Sequence, residues 1–600
     1  MIAIRLDIRS LQEAYAGGLS VEAAIEAVFA RLEAVDDPGI FLHLADRKSL
    51  LAEAGALGAF DPVAKPLWGV PFAVKDNIDV AGMPTTAACP AFAYTPDKDA
   101  TVVARLKAAG ALVIGKTNLD QFATGLVGVR TPYPVPRNAI DPALVPGGSS
   151  SGSAVAVAQG IVSFALGTDT AGSGRVPAGL NNIVGLKPTV GALSTTGVVP
   201  ACRTLDSVSI FALTVYDAYS VFSVAAAPDA SDPYSKTVAV APLAPCPPVV
   251  TVGVPARADR QFFGDAAMEA GFDAALAKLQ SLGCRLVEIP FGDFYDTANL
   301  LYEGAWVAER YATIAGFMDA HEAEMHPVTA KIIGGARKLS AADAFRGLYA
   351  LQAYKAKLAP LIASVDLICV PTAPTHYTVD AVLTDPVVTN SRNGTYTNFV
   401  NLLDMCGIAV PSGKRSDGLP MSVTLLAAAG KDGLVASLAE QVHALAGVPL
   451  GGTGWPLLAA REKPAEAADG IELAVVGAHL SGMPLNWQLQ DLGARFCRTT
   501  RTASSYKLYA LAGQKVAKPG LVRTADGGES IEVEIWRLDP ASFGRFVAAV
   551  PAPLGIGTLE LEDGANCKGF LVESAGLRGA IDISRFGGWR RYVSEVLAAA

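Results

Sequence analysis

Serines occupy two glycine-rich loops of this 600-residue chain, and both loops have the composition that acyl transfer requires. The first loop reads GGSSSGS over 147–153, and the second reads GTDTAGSGR over 167–175 with Ser173 inside it. Glycines let the backbone approach a ligand closely and expose consecutive N–H groups. A hydroxyl beside free amides can serve as a nucleophile with its own oxyanion hole. Such loops are also common as turns and linkers, so composition alone leaves both interpretations open.

A serine nucleophile needs a base, and Lys75 is the candidate that the sequence offers. The six histidines lie in no recognisable Ser–His–Asp motif. Lys75 follows the apolar run GVPFAV. Burial of an ammonium group at a strand end lowers the pKa of a lysine, and the neutral amine can then accept a proton. The alternative is a surface Lys75 paired with Asp76 or Asp79.

The elements that carry these loops alternate between strands and helices up to about residue 450. Apolar, β-rich runs such as GALVIGK (110–116) and VDLICVPTAP (365–374) follow helical patterns. The run PPVVTVGVP precedes the amphipathic stretch DAAMEAGFDAALAKLQSLG (265–283). The alternation predicts an α/β domain over 1–450, with a central mixed, mostly parallel sheet flanked by helices.

A composition change divides the chain after residue 450. The segment 451–470 is rich in Gly, Pro, Ala and charged residues, which predicts a linker. Beyond it, short strand-like runs such as SIEVEIWRL (530–538) are interrupted by two helical patches. This pattern predicts a smaller α+β domain over 471–600.

Composition and charge narrow the class of protein. The chain is 51% hydrophobic with a net charge of −9, so it is neither a disordered chain nor one whose field attracts nucleic acid. The eight cysteines show no CxxC spacing, which argues against zinc and a disulfide framework. Apolar stretches are broken before the ~20 residues of a membrane span, and the first residues lack a signal-peptide run. We expect a cytoplasmic protein with no metal, no membrane and no nucleic-acid partner.

Three stretches together resemble, in order, the motifs of the amidase signature family. Lys75 lies in GVPFAVKDN, Ser149 in GGSSSGS and Ser173 in GTDTAGSGR. The resemblance extends through TVVARLKAAGALVIGKTNLDQFA and NNIVGLKPTVGALSTTGVVP, over most of residues 20–450. That family uses a Ser–cis-Ser–Lys triad. The resemblance implies that Ser173 is the nucleophile, that Ser149, after a cis peptide bond, relays the proton, and that Lys75 is the base.

The resemblance also implies that the backbone amides of Thr170, Ala171, Gly172 and Ser173 form the oxyanion hole. Two positions depart from the family pattern, since many members have glycine where this chain has Ser151 and Ala171. Both residues are small, so we expect them to alter fine geometry and not the mechanism. The other serines of the first loop are expected to cap the following helix or to support the triad.

The stretch LLYEGAWVAERYATI (300–314) is the one that can select a substrate. At helical spacing, its polar and aromatic residues fall close together on neighbouring faces: Tyr302, Trp306, Glu309 and Arg310. Arg310 can hold a carboxylate in a bidentate pair, with the Tyr302 hydroxyl as a second donor. The alternative is an amphipathic helix with an Arg–Glu pair on its surface.

This stretch resembles the corresponding one of the allophanate hydrolases within that family, as do NGTYTNFVNLLDMCGIAVP (393–411) and VVGAHLSGMPLN (475–486). The resemblance implies a small-molecule substrate, allophanate, whose carboxylate Arg310 and Tyr302 hold. It implies release of ammonia and of N-carboxycarbamate, which decarboxylates, without any cofactor. It also implies a homodimer.

The C-terminal region resembles the extra domain of those enzymes, with a gamma-glutamylcyclotransferase-like fold. His479, in VVGAHLSG, lies where that fold forms a small-molecule pocket. One hypothesis gives His479 a part in decarboxylation, and the other makes the domain a stabilising or assembly module. Two other functions stay open for the whole chain. One is an amidase for malonamate or a carbamate, and the other is a tRNA-binding component of a transamidation complex, which the acidic charge disfavours.

Overall fold

The computed structural model describes residues 4–302, 304–459 and 470–597. Contacts divide these residues into two units. One takes in the residues up to 243 together with 252–281 and 286–459, and the other takes in 244–251, 282–285 and the residues from 470 onward. Residues 460–469 of the predicted linker lie outside the described residues.

A large sheet has eleven strands among the described residues. In chain order they are Phe41–Leu44 (β1), Pro71–Lys75 (β2), Leu112–Thr117 (β3), Phe164–Asp169 (β4), Val184–Lys187 (β5), Ser207–Ala212 (β6), Thr251–Pro255 (β7), Arg285–Ile289 (β8), Leu367–Pro371 (β9), Met405–Lys414 (β10) and Pro420–Ala428 (β11). Their order across the sheet is β1-β3-β2-β4-β6-β5-β10-β11-β9-β7-β8.

Helices flank this sheet, and several begin at a serine, threonine or aspartate whose side chain caps the first turn, as Ser340 and Asp343 do in a capping box. The α-helices are Ile8–Ala16 (α1), Val21–Val35 (α2), Arg47–Gly55 (α3), Thr101–Ala108 (α4), Ser151–Ala158 (α5), Val176–Leu180 (α6), Val215–Ala225 (α7), Ala266–Ser281 (α8), Gly292–Asn299 (α9), Ala305–His321 (α10), Pro327–Gly334 (α11), Ala341–Ala363 (α12), Val379–Thr384 (α13), Val388–Asn393 (α14), Phe399–Leu402 (α15) and Asp432–Ala444 (α16).

The α/β class and the mixed sheet are confirmed. Parallel pairs join β2 to β3, β2 to β4 and β7 to β9. The β10–β11 hairpin and the pairs around β5 and β6 are antiparallel. Antiparallel pairs outnumber parallel pairs among the described strand pairs, so the expectation of a mostly parallel sheet is wrong. The chain from β5 to β6 and from β10 to β11 returns without the crossover helix that a parallel pair needs.

The parallel neighbours β2 and β4 explain how distant loops come together. Both strands are buried along their whole length, as expected for a sheet that is covered on both faces. Their carboxyl ends lie at the same edge of the sheet, so Lys75, the last residue of β2, and the 169–175 loop after β4 are neighbours. The helix α5, which follows the first glycine–serine loop, is buried on every side.

The smaller unit is rich in β structure, as predicted. Its strands are Ile471–Val475 (β12), Arg495–Arg501 (β13), Tyr506–Ala510 (β14), Pro519–Arg523 (β15), Glu532–Leu538 (β16), Leu554–Glu560 (β17), Asn566–Val572 (β18) and Ile581–Asp582 (β19), and its α-helices are Trp487–Asp491 (α17), Pro540–Ala548 (α18) and Trp589–Tyr592 (α19). The described strands form a five-stranded sheet, β13-β16-β12-β18-β17, and a three-stranded sheet, β15-β14-β19. Trp536, Phe546 and Phe570 lie in a core of its own.

The eight cysteines all lie within the described residues, and none of them forms a disulfide. None of the helices within the described ranges is both long and apolar enough to cross a membrane.

Candidate active site

Lys75 is completely buried, and two hydroxyls hold its amine. Lys75 Nζ donates hydrogen bonds to Ser149 Oγ and to Thr168 Oγ1, each at 2.7 Å. Burial lowers the pKa of Lys75 to about 7, although nearby aspartate carboxylates, Asp120 foremost, oppose this shift. The alternative of a surface lysine paired with a carboxylate is therefore wrong.

Ser149 is fixed beside this amine by a tightly packed backbone. Its peptide bond to Gly148 is cis, and its carbonyl oxygen accepts a hydrogen bond from the Asp120 amide at 3.0 Å. A Cβ added at Gly148 would lie 2.0 Å from Asp120 Oδ2 and 2.6 Å from the Gly128 nitrogen. The glycine before Ser149 is thus required by a close approach of two backbone segments.

Ser150 and Ser151, which follow Ser149 in the first loop, contact the backbone around the site. Ser150 stands at the N-cap position of α5, but its hydroxyl donates to the Thr168 carbonyl oxygen at 3.2 Å and does not cap the helix. Ser151 Oγ lies 3.5 Å from the carbonyl oxygen of Asn118. Of the two expectations, support of the site fits these contacts and capping does not.

The loop that carries Ser173 is wound around the Asp169 carboxylate. Asp169 Oδ1 accepts from the Gly172 amide at 3.0 Å and Oδ2 from the Gly174 amide at 3.0 Å. Arg175 Nη2 and Nε complete a bidentate ion pair with the two oxygens, each at 2.9 Å. Both partners of this ion pair are fully buried. The loop therefore has one rigid shape, set by charge-assisted hydrogen bonds.

Three of the four amides that the sequence suggested for an oxyanion hole are free. Within the described ranges, the amides of Thr170, Ala171 and Ser173 have no hydrogen-bond acceptor. The Gly172 amide is different, because it already donates to Asp169. Gly172 allows the loop to turn here, because its φ of 128° is a conformation that favours glycine.

The Ser173 hydroxyl is not hydrogen-bonded to Ser149 in the described residues. Its nearest polar contact is the Gly125 carbonyl oxygen at 3.5 Å, which is a weak interaction. Contacts of catalytic groups are often long before a substrate binds.

Arg310 lies in α10, but Tyr302 ends a short 3-10 helix, Leu300–Tyr302, before α10 begins, so the continuous helical spacing expected between them is wrong. Arg310 is only 6% exposed, and its Nη1 donates to Thr124 Oγ1 at 3.2 Å. Tyr302 is 36% exposed, and partial burial raises the pKa of its hydroxyl although the positive charge of Arg310 opposes the shift. Glu309 accepts instead from Thr204 Oγ1 at 2.8 Å. The alternative of an Arg–Glu surface pair is therefore wrong.

Sequence reasoning missed four residues of this candidate anion-binding pocket. Asn390 and Asn398 lie beside the Tyr302 side chain, and Arg130 adds a second positive charge near it. Thr124 binds Arg310. Asn398 lies in a stretch whose resemblance the sequence already indicated, whereas Arg130 and Asn390 carried no recognisable signal. In the part of the chain that the structure describes, no group of acidic, cysteine and histidine side chains could hold a metal ion.

His479, in the smaller unit, lines a cavity of about 180 Å³. Its Nε2 lies 2.8 Å from Gln488 Oε1, within hydrogen-bond distance. The ring stacks on Phe570 at 5.2 Å. Burial lowers the pKa of His479, and the positive charge of Lys518, across the same cavity, adds to the shift.

Two family models match the chain. The amidase model matches residues 23–436, and the model of the allophanate hydrolase C-terminal domain matches residues 471–594. Among solved structures, the allophanate hydrolase of Kluyveromyces lactis superposes with a TM-score of 0.79 at 41% identity. That superposition covers 98% of this chain and 99% of the other.

Curated relatives give the same grouping. The urea amidolyase of Saccharomyces cerevisiae is 46% identical over 543 residues, which is 88% of this chain and 30% of that protein. This chain thus spans about a third of the urea amidolyases that it matches. A glutamyl-tRNA(Gln) amidotransferase subunit of Symbiobacterium thermophilum is 35% identical over 450 residues, covering 68% of this chain and 90% of that protein. A match of this extent to the amidase model, together with these relatives, means that the chain belongs to the amidase family of amide-hydrolysing enzymes.

Proposed function

We propose that this chain hydrolyses allophanate with Ser173 as nucleophile, Ser149 as proton relay and Lys75 as base. The observation that carries the proposal is the buried amine of Lys75, 2.7 Å from Ser149 Oγ, beside a serine loop with free amides. A lysine whose pKa is about 7 is substantially neutral at neutral pH and can accept a proton. This arrangement meets the needs of acyl transfer without a histidine.

In the first half-reaction, Ser173 Oγ attacks the urea-like carbonyl carbon of allophanate. Its proton passes to Ser149 Oγ while the Ser149 proton passes to Lys75 Nζ. The carbonyl electron pair moves onto oxygen, where the amides of Thr170, Ala171 and Ser173 donate to it. Collapse of the tetrahedral intermediate breaks the bond to the terminal nitrogen, which takes the proton back along the relay and leaves as ammonia.

In the second half-reaction, water attacks the acyl-enzyme by the same relay and restores the Ser173 hydroxyl. The product is N-carboxycarbamate, which loses carbon dioxide to give carbamate, and carbamate decomposes to ammonia and carbon dioxide. Allophanic acid and one water thus give two ammonia and two carbon dioxide. Every proton transfer uses a group of this chain or water, so the steps need no cofactor.

The substrate's carboxylate supplies the specificity. We place it against Arg310 and the Tyr302 hydroxyl, because a guanidinium and a phenol in a buried pocket form strong, directional hydrogen bonds to an anion. The C-terminal domain match and the allophanate hydrolase of K. lactis favour allophanate over other amides. They also favour it over transamidation, because the similarity to the amidotransferase covers only 68% of the chain.

The test is ammonia release from allophanate and from malonamate by the wild type and by Arg310→Ala. We expect a strong preference of the wild type for allophanate, and a loss in Arg310→Ala that is mainly a loss of that activity. The assignment of allophanate would be contradicted if the wild type hydrolysed both substrates at equal rates and Arg310→Ala left both rates unchanged. That result would leave an amidase of different specificity.

The cavity around His479 supports a second activity, acceleration of N-carboxycarbamate decarboxylation. It combines a neutral imidazole, the Lys518 ammonium group and the aromatic surface of Phe570, an apolar setting in which a carboxylate is poorly hydrated. In the full chain, we expect His479→Ala to release the first ammonia at the wild-type rate and carbon dioxide after a lag. Carbon dioxide release without a lag would support the alternative, a stabilising or assembly module.

The cytoplasmic location and the homodimer remain predictions. Sedimentation velocity of the full chain tests the homodimer. We expect twice the mass of one chain, and a monomer at micromolar concentration would contradict the prediction.

A further inference from the structure

Two buried guanidiniums share one threonine in the anion-binding pocket. Arg310 Nη1 donates to Thr124 Oγ1 at 3.2 Å, and Arg130 Nη1 donates to the Thr124 carbonyl oxygen at 2.9 Å. In the described ranges neither arginine forms a salt bridge with a carboxylate. Burying two like charges near each other costs free energy. The carboxylates that act on them, Asp120 on Arg130 and Asp206 on Arg310, form no ion pair with them in the described residues, so the pocket is suited to a further anion.

The hydrogen bonds of Arg130 leave its charge unbalanced. Arg130 is 2% exposed, and its second amino group, Nη2, donates to the Pro386 carbonyl oxygen at 2.7 Å. Its Nε is buried without any hydrogen-bond partner. Burial lowers the pKa of Arg130 and the charge of Arg310 adds to this, while Asp120 opposes it. The Asp120 oxygens are already bound by backbone amides, including the Arg130 amide at 2.9 Å.

A purely structural role is the competing explanation. The side chain of Arg130 closes the 120–130 loop on itself through Thr124, and the Gln121 amide donates to the Arg130 carbonyl oxygen at 2.7 Å. The same loop presents the Gly125 carbonyl oxygen to Ser173. Loss of a clamp of this kind would disturb Ser173 for every substrate alike. Loss of a charge would affect anionic substrates only, and this difference separates the two explanations.

We infer that Arg130 acts with Arg310 as a paired cationic site for the substrate's carboxylate, and that the pair makes the enzyme select anionic amides over neutral amides of the same shape. This inference rests on the proposed function, because it takes the Tyr302–Arg310 pocket as the place of that carboxylate. Arg130 is in this view a specificity-determining residue.

The test compares allophanate with biuret, in which a neutral amide replaces the carboxylate at nearly the same size. We would measure kcat/KM for both compounds in the wild type, Arg130→Gln, Arg130→Lys and Arg310→Gln. Arg337→Gln is the matched control, since Arg337 pairs with Glu322 on the surface. The ratio of the two kcat/KM values within one preparation is independent of the fraction of folded enzyme.

We expect Arg130→Gln to lower the allophanate-to-biuret ratio about 10- to 100-fold, the range for one charge-assisted hydrogen bond. Arg130→Lys, which keeps the charge, should recover part of the ratio, and Arg337→Gln should leave it unchanged. An Arg130→Gln variant that loses both activities equally, with its ratio intact, would overturn the inference and assign Arg130 to the loop alone.

Failure of the proposed function has a different signature. A wild type that does not prefer allophanate over biuret contradicts the proposed substrate. A wild-type preference that collapses in Arg310→Gln but persists in Arg130→Gln leaves the proposed function standing and removes Arg130 from it.

Discussion

Buried lysine amines occur near three strand ends of the large sheet, and their partners distinguish their chemistry. Lys116 Nζ lies 3.3 Å from Asp76 Oδ1, an ion pair, and Lys187 Nζ donates to backbone carbonyl oxygens. Of the three, Lys75 is the one bound to a serine hydroxyl. All three follow apolar runs, so the hydropathy criterion selects them equally. The longer motif around Lys75 favours it over the other two, and its contact with Ser149 is the one that the proposed base needs.

At the residue scale, the pKa of Lys75 predicts the pH dependence of the reaction. Only the neutral amine accepts a proton, so kcat/KM for amide hydrolysis should fall about tenfold per pH unit below a midpoint near pH 7 and level off above it. Lys75→Met should abolish the activity and, with it, the fall in kcat/KM below pH 7. A pH profile from 5 to 9 measures it, and a midpoint above pH 9 would mean that Lys75 is charged at neutral pH and is not the base.

At the scale of elements, the sequence predicted where strands and helices lie better than how the strands pair. The helical pattern expected before the run at 365–374 is α12, Ala341–Ala363, and the run at 110–116 forms β3. The antiparallel pairing of β5 with β10 was not predictable, because those strands are more than 200 residues apart and no local pattern records their register. Arg130 was missed for the same reason. The role inferred for Arg130 depends on Arg310, which lies 180 residues later in the chain.

The ion pair inside the 169–175 loop provides the prediction at this scale. Arg175→Gln leaves the Asp169 carboxylate buried and uncompensated, which typically costs 3–5 kcal/mol, so we expect the free energy of unfolding to fall by about that amount and kcat to fall as well. Urea denaturation and steady-state kinetics measure the two effects.

A double variant serves as the control for this ion pair. Asp169→Asn/Arg175→Met removes both charges, so stability should recover in part. Activity should stay low because the Gly172 and Gly174 amides lose their carboxylate acceptor. Wild-type kcat in Arg175→Gln would show that the loop shape does not depend on the pair.

For the whole molecule, acid stability depends on histidines that the fold keeps neutral. His443, in α16, is 3% exposed, and burial lowers its pKa to about 4. The pKa of His376 is also about 4, because of burial and the charge of Arg415. Between pH 6.5 and 4 the unfolded chain binds protons at these positions that the folded chain does not. Their contribution to stability is thus complete above pH 6.5 and is lost as the pH falls toward 4.

Replacing one such histidine should flatten the pH dependence of stability. In His443→Leu, the loss of unfolding free energy between pH 7.5 and 4.5 should be smaller than in the wild type by about 2–3 kcal/mol, the value for a pKa shift of this size. Urea denaturation at the two pH values measures it. His321→Gln, at a surface ion pair, is the control, and equal slopes for His443→Leu and wild type would contradict the role of His443.

The loop that carries Ser173 accepts hydrogen bonds from residues that are synthesised much later. Thr397 Oγ1 donates to the Ala171 carbonyl oxygen and Asn401 Nδ2 to that of Asp169, each at 2.7 Å, across separations of 226 and 232 positions. At typical synthesis rates of about 5–20 residues per second, the nascent chain carries Ser173, the proposed nucleophile, for roughly 10 to 50 seconds before these partners exist. Amide hydrolysis should therefore begin only when the chain has emerged past Asn401, so the order of translation itself delays the chemistry.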